Sequence, residues 1–141
     1  MARIVVGVDG SEHSTRALRR AVDEARLRGA KLDVVHAVAE PIIVAEPAWV
    51  PPPPRDAVRA AALEVIDEML AGMDLEGVAI ERVAIIGNTA HELCGLARGA
   101  DMLVVGSRGL GGFKGLLVGS ITQQVVAHAP CPILVVVPEG R

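Results

Sequence analysis

The sequence predicts an α/β protein, an open parallel sheet with helices on both faces. Three observations carry this. Short apolar runs suited to buried strands alternate with stretches of helical periodicity, five times in 141 residues. About half of the residues are apolar (51%), yet the chain has one Trp, one Phe and no Tyr, so Val, Ile, Leu and Ala must build the core, as in buried parallel strands. A glycine-rich stretch, Gly106 to Ser120, joins the fourth apolar run to the fourth helical segment.

Taken in order, Arg3 to Asp9 reads as a central strand with the core Ile4-Val5-Val6-Gly7-Val8. It ends in the turn Asp9-Gly10-Ser11. Ser11 or Ser14 can cap the following helix, with Glu12 suiting its positive end. Leu18, Ala21, Val22 and Ala25 fall on one face, Arg16, Arg19, Arg20 and Asp23 on the other, and Gly29 stops the helix. Leu32 to Val38 is the second strand. Residues 39–54 hold six of the nine prolines and read as an irregular surface loop, either a linker or a lid over a ligand. Neither side of that loop is long enough to fold alone, so residues 1–141 are expected to form a single domain.

A second amphipathic helix is expected from Arg55 to about Met73, with Val58, Ala61, Ala62, Val65, Ile66, Met69 and Met73 on one face. Val78 to Ile86 is a third strand whose alternation suits an edge. Thr89-x-x-Glu92 has the form of a capping box opening the third helix, with Leu93, Leu96 and Ala97 inward. Met102 to Val105 is the fourth strand, and Ile121, Val125 and Val126 mark the fourth helix. Pro130 ends that helix, and Pro132 to Val137 supply a fifth, apolar strand.

The segment Gly106 to Ser120 contains six of the fifteen glycines. Glycine lets main-chain N–H groups approach an anion closely, and the first turn of a helix offers unpaired N–H groups to it. A Walker loop requires Lys followed by Ser or Thr, but Lys114 is followed by Gly115. A dinucleotide fingerprint counted from Gly109 and Gly111 would need glycine where Lys114 stands. The spacing that fits is Gly106-x2-Gly109-x9-Gly119-Ser120. Ligands of open parallel sheets sit beyond the strands' carboxyl ends, where strand order reverses. That rule brings Asp9 to the glycine loop. Donors around Gly109 and Gly119, the Ser120 hydroxyl and Arg108 would have to converge, because micromolar binding needs ~8 kcal/mol. Ser120-x-x-Gln123 is also a capping box, so the hydroxyl has a competing role.

That spacing matches the ATP-binding signature of the universal stress protein family. The chain resembles that family throughout, from Val5-Val6-Gly7-Val8-Asp9-Gly10-Ser11 to His128-Ala129-Pro130-Cys131-Pro132-Ile133-Leu134-Val135-Val136. The resemblance implies a Rossmann-like sheet of order 3-2-1-4-5 with ATP at its switch point. Gly7, Val8 and Asp9 would line the adenine and ribose side, and Val38 would meet adenine through its main chain. Val105, Gly106, Gly109, Gly119, Ser120, Ile121 and Thr122 would surround ribose and phosphates. Magnesium or manganese would be held through the phosphates, and a homodimer would form through the last strand, Ile133 to Val137. Two positions depart from the pattern: Thr89 where proline is common, and Leu110 where a basic residue is common.

The net charge of −3, with both signs interspersed, gives no basic stripe for nucleic acid and no polybasic cluster for a membrane. Few aromatics leave no stacking platforms for single strands. A strand starting almost at Met1 leaves no room for a signal peptide, and Cys94 and Cys131 form no CxxC, so the cytoplasm is expected. His13, His36, His91 and His128 lack metal-ligand spacing, and no Ser-His-Asp set emerges. A dedicated catalyst is therefore not expected. The leading expectation is a nucleotide-binding regulatory module. A slow ATPase using the same site, or a scaffold that binds no ATP or prefers cyclic AMP, are the alternatives.

Overall fold

The computed structural model describes residues 2–40, 51–108 and 119–139. Gly109, Leu110, Lys114 and most of the proline-rich loop lie outside the described residues. The elements run β1 (Arg3–Gly7), α1 (Glu12–Arg28), β2 (Lys31–Val38), α2 (Arg55–Leu70), β3 (Ile80–Ile86), α3 (Thr89–Leu96), β4 (Met102–Gly106), α4 (Ser120–His128) and β5 (Ile133–Val136). All neighbouring strands are parallel, in the order β3-β2-β1-β4-β5. This is the order that the resemblance implies.

Period-two alternation along the strands divides the core into two layers. Ile4, Val6, Leu32, Val34 and Val104 face α1 and α2, meeting Leu18, Ala21, Val22 and Ile66. Val5, Val35, Leu103 and Val105 face the other way, onto Ala90, Leu93 and Ala97 of the α3 region and Val125 of α4. The central strands are buried on both sides, which is why they read as unbroken apolar runs. At the amino end of the sheet Arg3 ties three segments together. Its guanidinium donates to Asp33 Oδ2 at 3.0 Å and to the carbonyls of Leu96 and Arg98.

Helix ends follow local chemistry, with two shifts from the sequence pattern. Ser11 caps α1, its side chain accepting the Ser14 N–H, and Gly29 closes the helix in the left-handed region at φ 62°. For α3 the cap is Asn88, whose side chain accepts the His91 N–H at 2.9 Å. Thr89 is thus the first helical residue and not the head of a capping box. For α4 the cap is Gly119, with no side-chain bond, so Ser120 is likewise inside the helix.

The strand and helix bounds are a little tighter than the pattern suggests. β1 stops at Gly7 and α2 at Leu70, while β3 begins at Ile80. Met73 and Val78 still pack, partly buried, against the α1–α2 layer. Ala61, expected inward on α2, is exposed. On α4 only Val125 of the three apolar markers is buried, while Ile121 and Val126 are about half exposed. A nine-residue helix over the flank of the sheet presents too narrow a stripe to cover all three. Cys94 and Cys131 are free and half-buried, and burial pushes both thiols up from their ordinary range.

Three substitutions test these assignments by thermal or urea unfolding. Leu18→Ala, in the α1–α2 layer, should cost about 2–5 kcal/mol. Asn88→Ala should cost about 1 kcal/mol through the lost cap, whereas Thr89→Val should leave stability nearly unchanged.

Candidate functional site

The carboxyl end of the sheet holds a cavity where β1 and β4 lie side by side. It is lined by Gly7, Val8 and Asp9 after β1, Val105, Gly106 and Arg108 at β4, and Gly119, Ser120, Ile121 and Thr122 at the start of α4. Of the residues that the sequence points to, only Val38 and Gly109 are not among those lining it. Gly109 lies outside the described residues. The enclosed volume is about 170 Å³, below the ~300–1,000 Å³ usual for a small-molecule pocket. The enclosed part alone accommodates a base or a sugar, and the remainder of a larger ligand would lie at the mouth. A larger hollow, about 760 Å³, runs between α1 and α2 past Arg19, Arg26, Glu68 and Asp74. Its lining starts at Gly10, next to Asp9 in the chain, and is otherwise drawn from α1, α2 and the turn after α2. Arg26 there is already held by the carbonyls of Asp74 and Glu76.

Val38 is displaced from the cavity by strand alternation. His36 and Val38 turn their side chains to the α2 side, where they border an apolar hollow with Val58, Ala62 and Val65. The Val38 carbonyl accepts the Gly87 N–H at 2.8 Å. The main chain that faces the cavity belongs instead to Ala37. Val8 donates to the Val35 carbonyl, the last bond between β1 and β2. In a parallel ladder alternate residues bond to opposite neighbours, so Ala37 directs its N–H and C=O to the β1 side, past the point where β1 has ended. Among the described residues neither group has a partner there.

The other residues reach the cavity for reasons visible in the local bonding. The Asp9 carboxylate accepts the Ser11 N–H at 2.8 Å, and the Asp9 N–H donates to Ser14 Oγ. This turn holds the acid at the cavity wall. On α4 the first intrahelical bond runs from Gln123 N–H to the Gly119 carbonyl. The N–H groups of Ser120, Ile121 and Thr122 are therefore, among the described residues, the open ones of the first turn. The Gly119 N–H is not a further donor for a ligand, because it donates to the Ser107 carbonyl at 2.6 Å. Thr122 spends its hydroxyl on the Gly106 carbonyl at 2.8 Å, which straps α4 to the end of β4. Arg108 is half-buried, and among the described residues its Nε has no hydrogen-bond partner.

Ser14, Val35, Ala37, Thr89 and Leu93 also line the cavity. Leu93 reads from sequence as plain core and Thr89 as a cap. Only the parity of β2 hints at Val35 and Ala37, which share the face opposite α2. His13, the histidine nearest the crevice, keeps its ring at 3.3 Å from an Arg16 guanidinium nitrogen and does not line the cavity. Among the described residues no cluster of His, Cys, Asp and Glu could hold a metal ion, and no helix is long and apolar enough to cross a membrane.

Gly106 has a packing role besides its place at the cavity. A Cβ there would stand 2.9 Å from the His13 carbonyl oxygen, a backbone atom that cannot step aside. The missing side chain lets the first turn of α1 close onto the end of β4.

A parallel sheet of this order, with a glycine-bounded crevice at its switch point, defines a doubly wound α/β protein. The comparisons are more specific. The chain matches the universal stress protein family over residues 1–137 and belongs to that family. A universal stress protein of Thermus aquaticus is 39% identical over 137 residues, covering 94% of this chain and 96% of the relative. One from Mycobacterium tuberculosis is 39% identical over 136 residues, which are 95% of this chain and 44% of that longer protein. A universal stress protein solved in complex with cAMP is 32% identical, with TM-score 0.67 and coverage of 96% and 95% of the two chains. The Archaeoglobus fulgidus protein solved with dAMP, 23% identical over 96% of this chain and 97% of its own, has TM-score 0.62 and shares the fold.

The glycine at the β4 end offers a direct check. Gly106→Ala should destabilise the fold by about 1–3 kcal/mol through overpacking against α1. Gly95→Ala, in α3 with open space around its Cβ position, should be neutral or stabilising by up to ~1 kcal/mol. Paired denaturant melts measure both.

Proposed function

We propose that this chain is an ATP-binding regulatory module, not a dedicated catalyst, acting as a single-domain homodimer in the cytoplasm. The observation that carries this is the two-ended cavity at the switch point. At one end stand the open N–H groups of Ser120, Ile121 and Thr122, the Ser120 hydroxyl and Arg108. Together they suit phosphate oxygens, since a helix N-terminus favours negative charge and an arginine adds a full positive one. At the other end the N–H and C=O of Ala37, unpaired among the described residues, present a donor and an acceptor side by side. Adenine offers the complementary acceptor and donor on its Watson–Crick edge. Val8, Val35 and Leu93 supply the apolar walls that a base requires. Asp9, between the two ends, suits the ribose hydroxyls.

The donor set fits a polyphosphate better than a bare metal. With no cluster of protein ligands among the described residues, a magnesium or manganese ion would be carried by the phosphates, whose charge it would partly neutralise. A second reading, preference for cyclic AMP, is favoured by the cAMP complex of the 32% identical relative. Isothermal titration with ATP, ADP, AMP and cyclic AMP separates the two. Tightest binding of ATP, weakened by EDTA while AMP binding is not, is the expected result. Gly119→Val should abolish ATP binding with the circular dichroism spectrum unchanged. Wild-type affinity in that variant would remove the α4 end from the site.

The dimer reading rests on β5. It is an edge strand made of Ile133, Leu134, Val135 and Val136, each only half-buried, and an apolar edge invites pairing with another chain. Pro132 and Val136 turn their carbonyls to β4, accepting from Leu103 and Ser107. By alternation Ile133 and Val135 turn their main-chain groups outward. Val135→Pro removes an outward N–H without touching the β4 ladder. Light scattering should report a dimer for the wild type and a monomer for the variant.

A further inference from the structure

We propose that Thr89 reads the base of the bound nucleotide and is a specificity-determining residue of the site. The inference deepens the adenine-nucleotide reading above and rests on it.

The cavity is divided by polarity. Arg108, Ser120 and the open N–H groups of α4 lie on the β4 side, whereas Val8, Val35, Ala37 and Leu93 make up the β1–β2 side. Phosphates belong to the first and a flat, weakly solvated ring to the second. Leu93 closes down on β1 tightly enough that a Cβ on Gly7 would meet its Cδ1 at 2.8 Å, so the apolar wall is packed and not merely adjacent. Three side chains with polar atoms line the cavity near that wall: Asp9, Ser14 and Thr89. The Ser14 hydroxyl accepts from the Asp9 N–H and donates to the Ser11 carbonyl. Asp9 is engaged by the Ser11 N–H. Thr89 is half-buried, and its hydroxyl makes no hydrogen bond among the described residues.

The reason it is spare lies in the cap. A threonine followed three residues later by Glu92 would spend its hydroxyl on the helix end. Here Asn88 takes that duty through the His91 N–H, and the helix starts at Thr89 itself. Thr89 is left at the cavity wall with a group that both donates and accepts. The Ala37 main chain approaches a base from β2, while Thr89 comes from α3. Two hydrogen-bonding points on different elements fix the orientation of a purine in its plane, which one point cannot do. A spare hydroxyl in an apolar wall is also costly for a ligand that cannot pair with it, which is how such a site discriminates.

The test uses the full chain and three ligands that share a base and differ in phosphates: adenosine, AMP and ATP. Thr89→Val keeps the branched shape and removes the hydroxyl, and Thr89→Ser keeps the hydroxyl. By titration calorimetry Thr89→Val should weaken all three ligands by the same factor, roughly fivefold, the worth of one hydrogen bond. Thr89→Ser should retain roughly wild-type affinity. The unliganded melting temperature of Thr89→Val should not move. Unchanged affinities in Thr89→Val, or a loss that grows with the number of phosphates, would overturn the assignment. Wild-type protein that binds none of the three would remove the nucleotide reading itself, and Thr89 with it.

Discussion

β1 and β4 are neighbours in the sheet, paired from Ile4 with Met102 to Val6 with Val104, but their chains leave toward opposite faces. α1 departs to the layer built on Leu18 and Ile66, and α4 to the layer built on Leu93 and Val125. Between two strands that part in this way no crossover can fill the space above the sheet. The crevice is therefore a consequence of strand order, and everything assigned to the site depends on it. Asp9 and Ser120 face one cavity across more than a hundred positions of sequence because a parallel ladder holds their strands side by side. The approach is close enough that Gly106 cannot carry a side chain without meeting the His13 carbonyl.

Within that frame, small decisions at helix ends determine what the crevice offers. Gly119 caps α4 with backbone alone and Asn88 caps α3 with its amide. In both helices the next residue bears a hydroxyl that is thereby left for the cavity, Ser120 at the polar end and Thr89 at the apolar end. The Gly119 N–H and the Thr122 hydroxyl do the opposite. Both bind the end of β4, through the carbonyls of Ser107 and Gly106. They hold α4 in place, so that its three open N–H groups are aimed by structure and not by a ligand. Preorganised donors of this kind make the field at the cavity differ from what the net charge of −3 suggests. The field that matters is local, set by dipoles and Arg108, and not by the overall balance.

The sequence alone determined the class of fold, the succession of elements and most of the residues around the cavity. Apolar runs and helical periods are local signals, and strands buried on both faces write themselves as unbroken Val, Ile and Leu. The glycine spacing from Gly106 to Ser120 can be read directly off the sequence, although the need for glycine at Gly106 comes from the His13 carbonyl of α1. Ser11 and Gly29 were legible as helix ends because their signals are local. Tertiary structure decided matters that depend on what lies across the sheet. Ala37, and not Val38, turns its main chain to the cavity, because that depends on which neighbour takes each carbonyl. The caps at Asn88 and Gly119 each won over a plausible capping box one residue later. Ile121 and Val126 remained exposed because helical period says which residues share a face, while the width of the neighbouring layer says how many of them are covered.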